Sequence, residues 1–221
     1  QASCASGASI MIAIIDSGIA NLRSVEKGFA RVGATAEIVE TPARLAEAAG
    51  IVLPGVGAFA DAVAKLERHG FIEPLRRAVE KGTPVLGICL GLHVLFSESE
   101  EFGVHRGLDL LPGRVVRFAA DMADPRTPGS RLKVPHMGWN RIRVEREAPI
   151  FRGLPEEPYF YFVHSYYVEP SEPTVVAATA EHGVRFTAAI WRENLFATQF
   201  HPEKSQALGL KLLENFAALC R

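Results

Sequence analysis

The chain has 221 residues, with 24 basic against 25 acidic side chains, a net charge of −1 and 48% hydrophobic residues. That composition is ordinary for a globular protein. The charge balance leaves no electrostatic footprint for nucleic acid, and no apolar run approaches the roughly 20 residues of a membrane span. Three cysteines, Cys4, Cys89 and Cys220, are odd in number and far apart, which argues against a disulfide framework and for a reducing cytoplasm.

Residues 1–10 read as an appendage. They are small and mostly polar, and lack the basic start and long apolar stretch of a signal peptide. Met11 reads as the start of a single domain, residues 11–221. Met11 to Ile15 is a continuous apolar run, as expected of a strand covered on both faces. Asp16 to Ala20 reads as a turn, and Asn21 can cap a helix from Leu22 to Val32 that stops at Gly33. Ala36 to Val39 reads as a strand, Leu45 to Ala49 as a short helix and Gly50 to Leu53 as a third strand. Gly55-Val56-Gly57 then forms a loop able to turn N–H groups inward. Helices are expected over Phe59 to Arg68 and Ile72 to Glu80, and a fourth strand over Pro84 to Ile88. Strands alternating with helices make this half α/β with a parallel sheet, whose site lies at the carboxyl ends of the strands.

That fourth strand runs into Gly87-Ile88-Cys89-Leu90-Gly91, followed by a helical stretch from Leu90 to Phe96. Strand, sharp turn, nucleophile and helix form the sulfur version of the G-x-S-x-G elbow. The glycines allow the turn to be tight, and a thiol at a helix N-terminus is favoured as thiolate.

The pattern changes after Glu98. Ser97 to Glu101 reads as an acidic, solvated helix end, Gly113 to Phe118 as a strand and Asp121 to Ser130 as a loop. Pro135 to Asn140 leads into the alternation of Ile142 and Val144. Tyr159 to Val168 reads as one aromatic strand, Thr174 to Thr179 as another, and Phe186 to Trp191 with Leu195 to Phe200 as a hairpin. These mostly antiparallel strands add to the first sheet or form a small one beside it. A helix over Gln206 to Leu219 presents Leu208, Leu212, Leu213, Phe216 and Leu219 on one face.

Cysteine catalysis needs a base and a group that orients it. His201 and Glu203 stand at i and i+2 around Pro202, which holds the preceding residue extended, so imidazole and carboxylate can lie side by side. The backbone N–H of Leu90 is one oxyanion donor by the elbow geometry, and Gly55-Val56-Gly57 is the expected source of the second. Neither C-x-x-C nor H-E-x-x-H occurs, so no metal set is apparent and no cofactor is expected.

Gly87-Ile88-Cys89-Leu90-Gly91 together with His201-Pro202-Glu203 resembles the class I, triad-type glutamine amidotransferases. Four further stretches resemble the glutaminase subunits of imidazole glycerol phosphate synthase: Asp16 to Val25, Leu53 to Phe59, Pro135 to Asn140, and His164 to Tyr167. The resemblance implies a flavodoxin-like α/β fold, with a mostly parallel central sheet and antiparallel additions. It implies a triad of Cys89, His201 and Glu203, and an oxyanion hole from Val56, Gly57 and Leu90. Substrate contacts fall on Gly55, His93, Glu101, Ser165 and Tyr166, with Glu101 on the substrate's α-amino group. Asn21, Pro135, His136, Met137, Gly138, Trp139, Asn140 and Lys204 fall at a partner interface. The implied reaction is hydrolysis of L-glutamine through a Cys89 thioester. The implied partner is a (β/α)8-barrel cyclase subunit, in a heterodimer that uses the ammonia in histidine biosynthesis. The chain departs from the family pattern at His93, where glutamine is usual, and at Ser17 and Ala20, where tyrosine and glycine are usual. Two other readings are a glutaminase serving anthranilate, aminodeoxychorismate or pyridoxal phosphate synthesis, and a non-catalytic regulatory module on the same fold. The His-Met-Gly-Trp-Asn stretch argues against the first, and the complete triad against the second.

Overall fold

A computed structural model describes residues 10–16, 22–124, 127 and 129–221. The first half places β1 (Met11–Ile15), α1 (Leu22–Arg31), β2 (Thr35–Val39), β3 (Gly50–Gly55), α2 (Phe59–Arg68), α3 (Ile72–Glu80), β4 (Val85–Cys89) and α4 (Leu90–Val94) in order. The second half adds β5 (Phe96–Ser99), β6 (His105–Arg106), β7 (Leu111–Arg117), β8 (His136–Val144), β9 (Tyr159–His164) and β10 (Tyr166–Pro170). It closes with β11 (Val176–His182), β12 (Val184–Arg192), β13 (Leu195–Thr198) and α5 (Gln206–Leu219). None of the described helices is long and apolar enough to cross a membrane.

Nine strands form the main sheet in the order β2-β1-β3-β4-β13-β12-β11-β8-β9. The first five run parallel and the rest antiparallel. All five β1 residues are buried. Their side chains alternate across the sheet, as a strand's period of two requires. Ile12 and Ile14 join a core with Phe29 of α1 and Leu212, Leu213 and Phe216 of α5. Met11, Ala13 and Ile15 join another with Leu66, Phe71 and Leu75 under α2 and α3. The sheet is therefore covered on both faces, and its strand ends are where backbone and polar side chains can meet a ligand.

The antiparallel half does both things expected of it. Strands β8, β9, β11 and β12 extend the main sheet, while β10-β7-β5-β6 form a second, four-stranded sheet. Three local readings are corrected. Of the residues expected as a solvated helix end, Ser97 to Ser99 lie in β5 instead, because Phe96 and Ser99 are buried and arginines stand opposite Glu98. Glu98 lies opposite Arg106 and Arg114, and a Glu100 carboxylate oxygen accepts from the Arg117 N–H at 3.0 Å. The expected helix at Leu45 to Ala49 is a 3-10 turn over Pro42–Glu47, with Pro42 opening it and Leu45 buried. The single aromatic strand from Tyr159 breaks at Ser165: β9 pairs with β8 in the main sheet, whereas β10 pairs with β7 in the second. The expected turn at residues 17–20 and the Asn21 cap lie outside the described residues.

Candidate active site

Strand β4 delivers Cys89 at φ 55° and ψ −107°, directly before α4. A non-glycine residue there is strained, at about 1–3 kcal/mol, and such strain persists only where neighbours over-determine it. The flanking glycines do so. A Cβ on Gly91 would stand 1.8 Å from the Leu53 carbonyl oxygen, and one on Gly87 2.9 Å from that of Gly91. Only bare backbone lets the elbow nest against β3. Gly55 serves the same packing, since a Cβ there would meet Leu90 Cβ at 2.9 Å.

His201 follows β13, the parallel neighbour of β4. Its N–H donates to the Tyr161 carbonyl at 2.9 Å, and its carbonyl accepts from the Ser205 hydroxyl at 2.6 Å, so β9 and the start of α5 fix its backbone. His201 itself is extended, at φ −102° and ψ 97°, and Pro202 opens a 3-10 turn over Pro202–Lys204. The side-by-side pair thus arises from an extended residue entering a tight turn, not from a continuous extended segment. Nδ1–H of His201 donates to Glu203 Oε1 at 2.8 Å, with both side chains 3% exposed. That bond assigns one proton to Nδ1, so Nε2 is the nitrogen left to exchange a proton with the sulfur. Nε2 and Glu203 Oε2 are buried without a hydrogen-bond partner among the described residues. Burial opposes charge on His201. The adjacent Cys89 and then Glu203 outweigh it, raising the imidazole to about 10. The ring is therefore a strong proton acceptor beside the sulfur.

A cavity of about 740 Å³ opens over Cys89. It is lined by Cys89, Leu90, His93 and His201 and by the Val56-Gly57 loop. Gly57 has φ +98°, which favours glycine. The second sheet contributes Arg117 and Tyr166 to the lining, joined by Ser165 and Glu101. One Glu101 oxygen accepts from the Phe59 N–H at the start of α2 at 2.6 Å. Burial first, and the nearby Glu101 charge second, raise the Tyr166 phenol. Pocket size, a thiol, a base and both charge signs suit a small zwitterionic amide or ester.

Of the residues expected at the site, Cys89, His201, Leu90, Val56, Gly57, His93, Glu101, Ser165 and Tyr166 all line this cavity, and Glu203 stands behind His201. Gly55 packs under the elbow and does not line it. His93 lines it but aims Nε2 at Gln199 Oε1, 2.8 Å away. Sequence reasoning missed Gln199, Arg117, Phe102, Val163 and His164. The signal for Gln199 was a lone amide at the end of the apolar run before His201. Arg117 could be found only once β7 was known to pair with β10.

On the face expected to meet a partner, Met137 and Trp139 are exposed, while His136 points inward. Lys204 Nζ lies 5.9 Å from the Tyr161 ring centre, and Tyr161 packs edge-on against Trp139. A directed hydrogen-bond chain joins this face to the cavity. Asn140 Nδ2 donates to His136 Nε2 at 3.1 Å, His136 Nδ1 to His164 Nε2 at 2.9 Å, and His164 Nδ1 to the Tyr166 carbonyl at 2.8 Å. Burial, with His182 adding to it, lowers His136 to about 3; burial, with His136 next, lowers His164 well below the usual histidine range. Both rings are neutral at pH 7, as the chain of donors requires. Pro135 lines the cavity, and Asn21 lies outside the described residues.

A mostly parallel sheet with a cysteine elbow at one strand end, and a His–Glu pair at the next, defines a class of protein. The family model "Glutamine amidotransferase class-I" matches residues 13–220, and the chain belongs to that family. Within it, the imidazole glycerol phosphate synthase subunit HisH of Syntrophotalea carbinolica is 59% identical over 206 residues, 93% of this chain and 98% of its own. The same subunit of Geobacter sulfurreducens is 51% identical over 208 residues, 94% of this chain and 98% of its own. These identities and coverages put the chain among the HisH subunits. In fold alone, a solved chain of PurLQS from Thermotoga maritima is similar with a TM-score of 0.73, over 96% of this chain and 100% of that one, at 17% identity.

Proposed function

We propose that this chain is the glutaminase subunit of an imidazole glycerol phosphate synthase, acting in the cytoplasm as a single domain over residues 11–221. The observation that carries the reading is the Cys89 elbow set beside the buried His201–Glu203 pair, in a chain 59% identical to a HisH subunit. His201 Nε2 takes the thiol proton as Cys89 Sγ attacks the side-chain amide carbon of L-glutamine. The tetrahedral oxyanion is held by the N–H of Leu90 and by one from the Val56-Gly57 loop. His201 returns the proton to the amide nitrogen, the C–N bond breaks, and ammonia leaves a γ-glutamyl thioester. Water, deprotonated by His201, then cleaves the C–S bond to give glutamate and the free thiol. Glu203 keeps His201 in the productive tautomer and stabilises its cationic form. Glu101 receives the α-amino group, and Ser165 and Tyr166, with His93 behind, complete the substrate contacts.

The partner is a (β/α)8-barrel cyclase subunit, in a heterodimer that consumes the ammonia. It docks on the face of Pro135, Met137, Gly138, Trp139, Asn140 and Lys204, with His136 beneath, and Asn21, outside the described residues, is proposed to join it. The exposed Met137 and Trp139 and the histidine chain running to the Tyr166 carbonyl support this placement. Docking turns the Val56-Gly57 loop toward its donating orientation, so that glutamine is spent only when the cyclase is ready. The test uses the reconstituted complex. Cys89→Ala abolishes glutamine-dependent product and leaves ammonium-dependent product near wild type. Glutamine-dependent turnover surviving in that variant overturns the reading.

A further inference from the structure

Gln199 is fully buried, and its main-chain N–H is fixed on the Ala188 carbonyl at 2.8 Å. Its side chain bridges two groups at the site. Oε1 stands 2.8 Å from His93 Nε2, and Nε2 stands 3.8 Å from Cys89 Sγ. His93 is itself buried on α4. Burial lowers it to about 4 against the raising effect of Gln199, so the ring is neutral and has one N–H to give. With that N–H on Nε2, the amide carbonyl must face His93 and the amide N–H must face sulfur. Turned over, the amide would set its own N–H against the His93 N–H, donor against donor at 2.8 Å. The other contact of Sγ, the Val163 carbonyl at 3.9 Å, can receive the thiol proton but cannot stabilise a thiolate.

We propose that Gln199 is a positioning residue whose amide N–H stabilises the ionised Cys89 sulfur, and that His93 acts through it by fixing which end of the amide faces the sulfur. The inference rests on the reading of Cys89 as nucleophile. It gives His93 a task other than touching substrate. It also predicts which replacements of His93 are tolerated: those that keep a donor toward Oε1. The titratable and charged groups lining the cavity with the sulfur are His201 with Glu203 behind it after β13, His93 on α4, His164 on β9, Glu101 after β5, Arg117 on β7 and Tyr166 on β10.

The test is alkylation of Cys89 by iodoacetamide in the full chain, read by peptide mass spectrometry so that Cys4 and Cys220 are counted separately. The quantity is the ratio of the Cys89 rate at pH 7 to that at pH 10. Gln199→Met and His93→Phe each lower the ratio about tenfold, the scale of one charge-assisted hydrogen bond. The double variant falls no further, and His93→Gln stays within about twofold of wild type because its amide also donates. Gln199→Glu, equal in size, lowers the ratio at least as much, since a carboxylate opposes the thiolate. It decides the matter if the methionine variant fails to fold. Ratios within about twofold of wild type in the folded Gln199 variants overturn the proposal. So does a drop in His93→Gln as large as in His93→Phe. A purely structural role would lower thermal stability and leave the ratio unmoved. Because the readout is the thiol itself, it stands apart from the catalytic reading, which fails separately if Cys89→Ala retains glutaminase activity.

Discussion

Replacing Glu203 with glutamine isolates the charge in the His–Glu pair. The two side chains are 2.8 Å apart and 3% exposed, so solvent screening is slight. Glutamine keeps the size and removes the charge that stabilises imidazolium. A hydrogen bond to a charged group contributes about 1.5–3 kcal/mol, which converts to roughly 10- to 150-fold in kcat. Glutamate release by the partner-bound enzyme measures it, with KM for glutamine changing little because Glu203 stands behind His201. Stability gives a second, signed readout. The folded-state value of His201 is raised from 6.5 to about 10. The stabilisation that the raised value represents, from Cys89 first and Glu203 next, is therefore fully present below pH 6.5 and is lost as pH rises toward 10. The wild-type advantage in Tm over Glu203→Gln should be largest near pH 6 and shrink by pH 10. A variant within about twofold of wild-type kcat, or a Tm gap that grows with pH, would refute this account of the pair.

Gly91→Ala sets a Cβ 1.8 Å from the Leu53 carbonyl oxygen; overpacking at the upper end of about 3 kcal/mol lowers Tm by roughly 6–12 °C, and calorimetry showing a change under about 2 °C would contradict the packing of the elbow on β3. Gly57→Pro replaces a residue at φ +98° with one held near −65° and removes an N–H. Partner-stimulated kcat should fall about 10²–10³-fold while the basal rate changes far less, and undiminished stimulation would exclude this loop as the gated donor. Trp139→Ala removes a 48%-exposed ring on the expected docking face. Titration calorimetry should show partner affinity weakened about tenfold or more at an unchanged basal rate, and an unaltered Kd would move the interface elsewhere.

The parallel half was legible because its signals are local. An apolar run such as Met11 to Ile15, buried on both faces, has few readings other than a central strand, and the two glycines around Cys89 announce a turn that only bare backbone can make. The His201–Glu203 pair was legible from Pro202, although the turn after it had to be seen to give the right geometry. What was lost depends on pairing across distance. Ser97 to Ser99 of the acidic run lie in a strand that pairs with β6 and β7, which bring Arg106 and Arg114 opposite Glu98. The break at Ser165 exists because two sheets compete for the strands on either side. Gln199 was marked as a lone amide in an apolar run, but its partners lie 106 and 110 residues away in sequence and were not.

The most direct test of the central claim is acid quenching of the partner-bound enzyme during turnover of isotopically labelled L-glutamine, followed by peptide mapping. The account predicts a labelled γ-glutamyl group on the Cys89 peptide. The label should be lost in Cys89→Ala, which has no sulfur to carry it. Label absent from Cys89, or found on Cys220, during active ammonia release would contradict it.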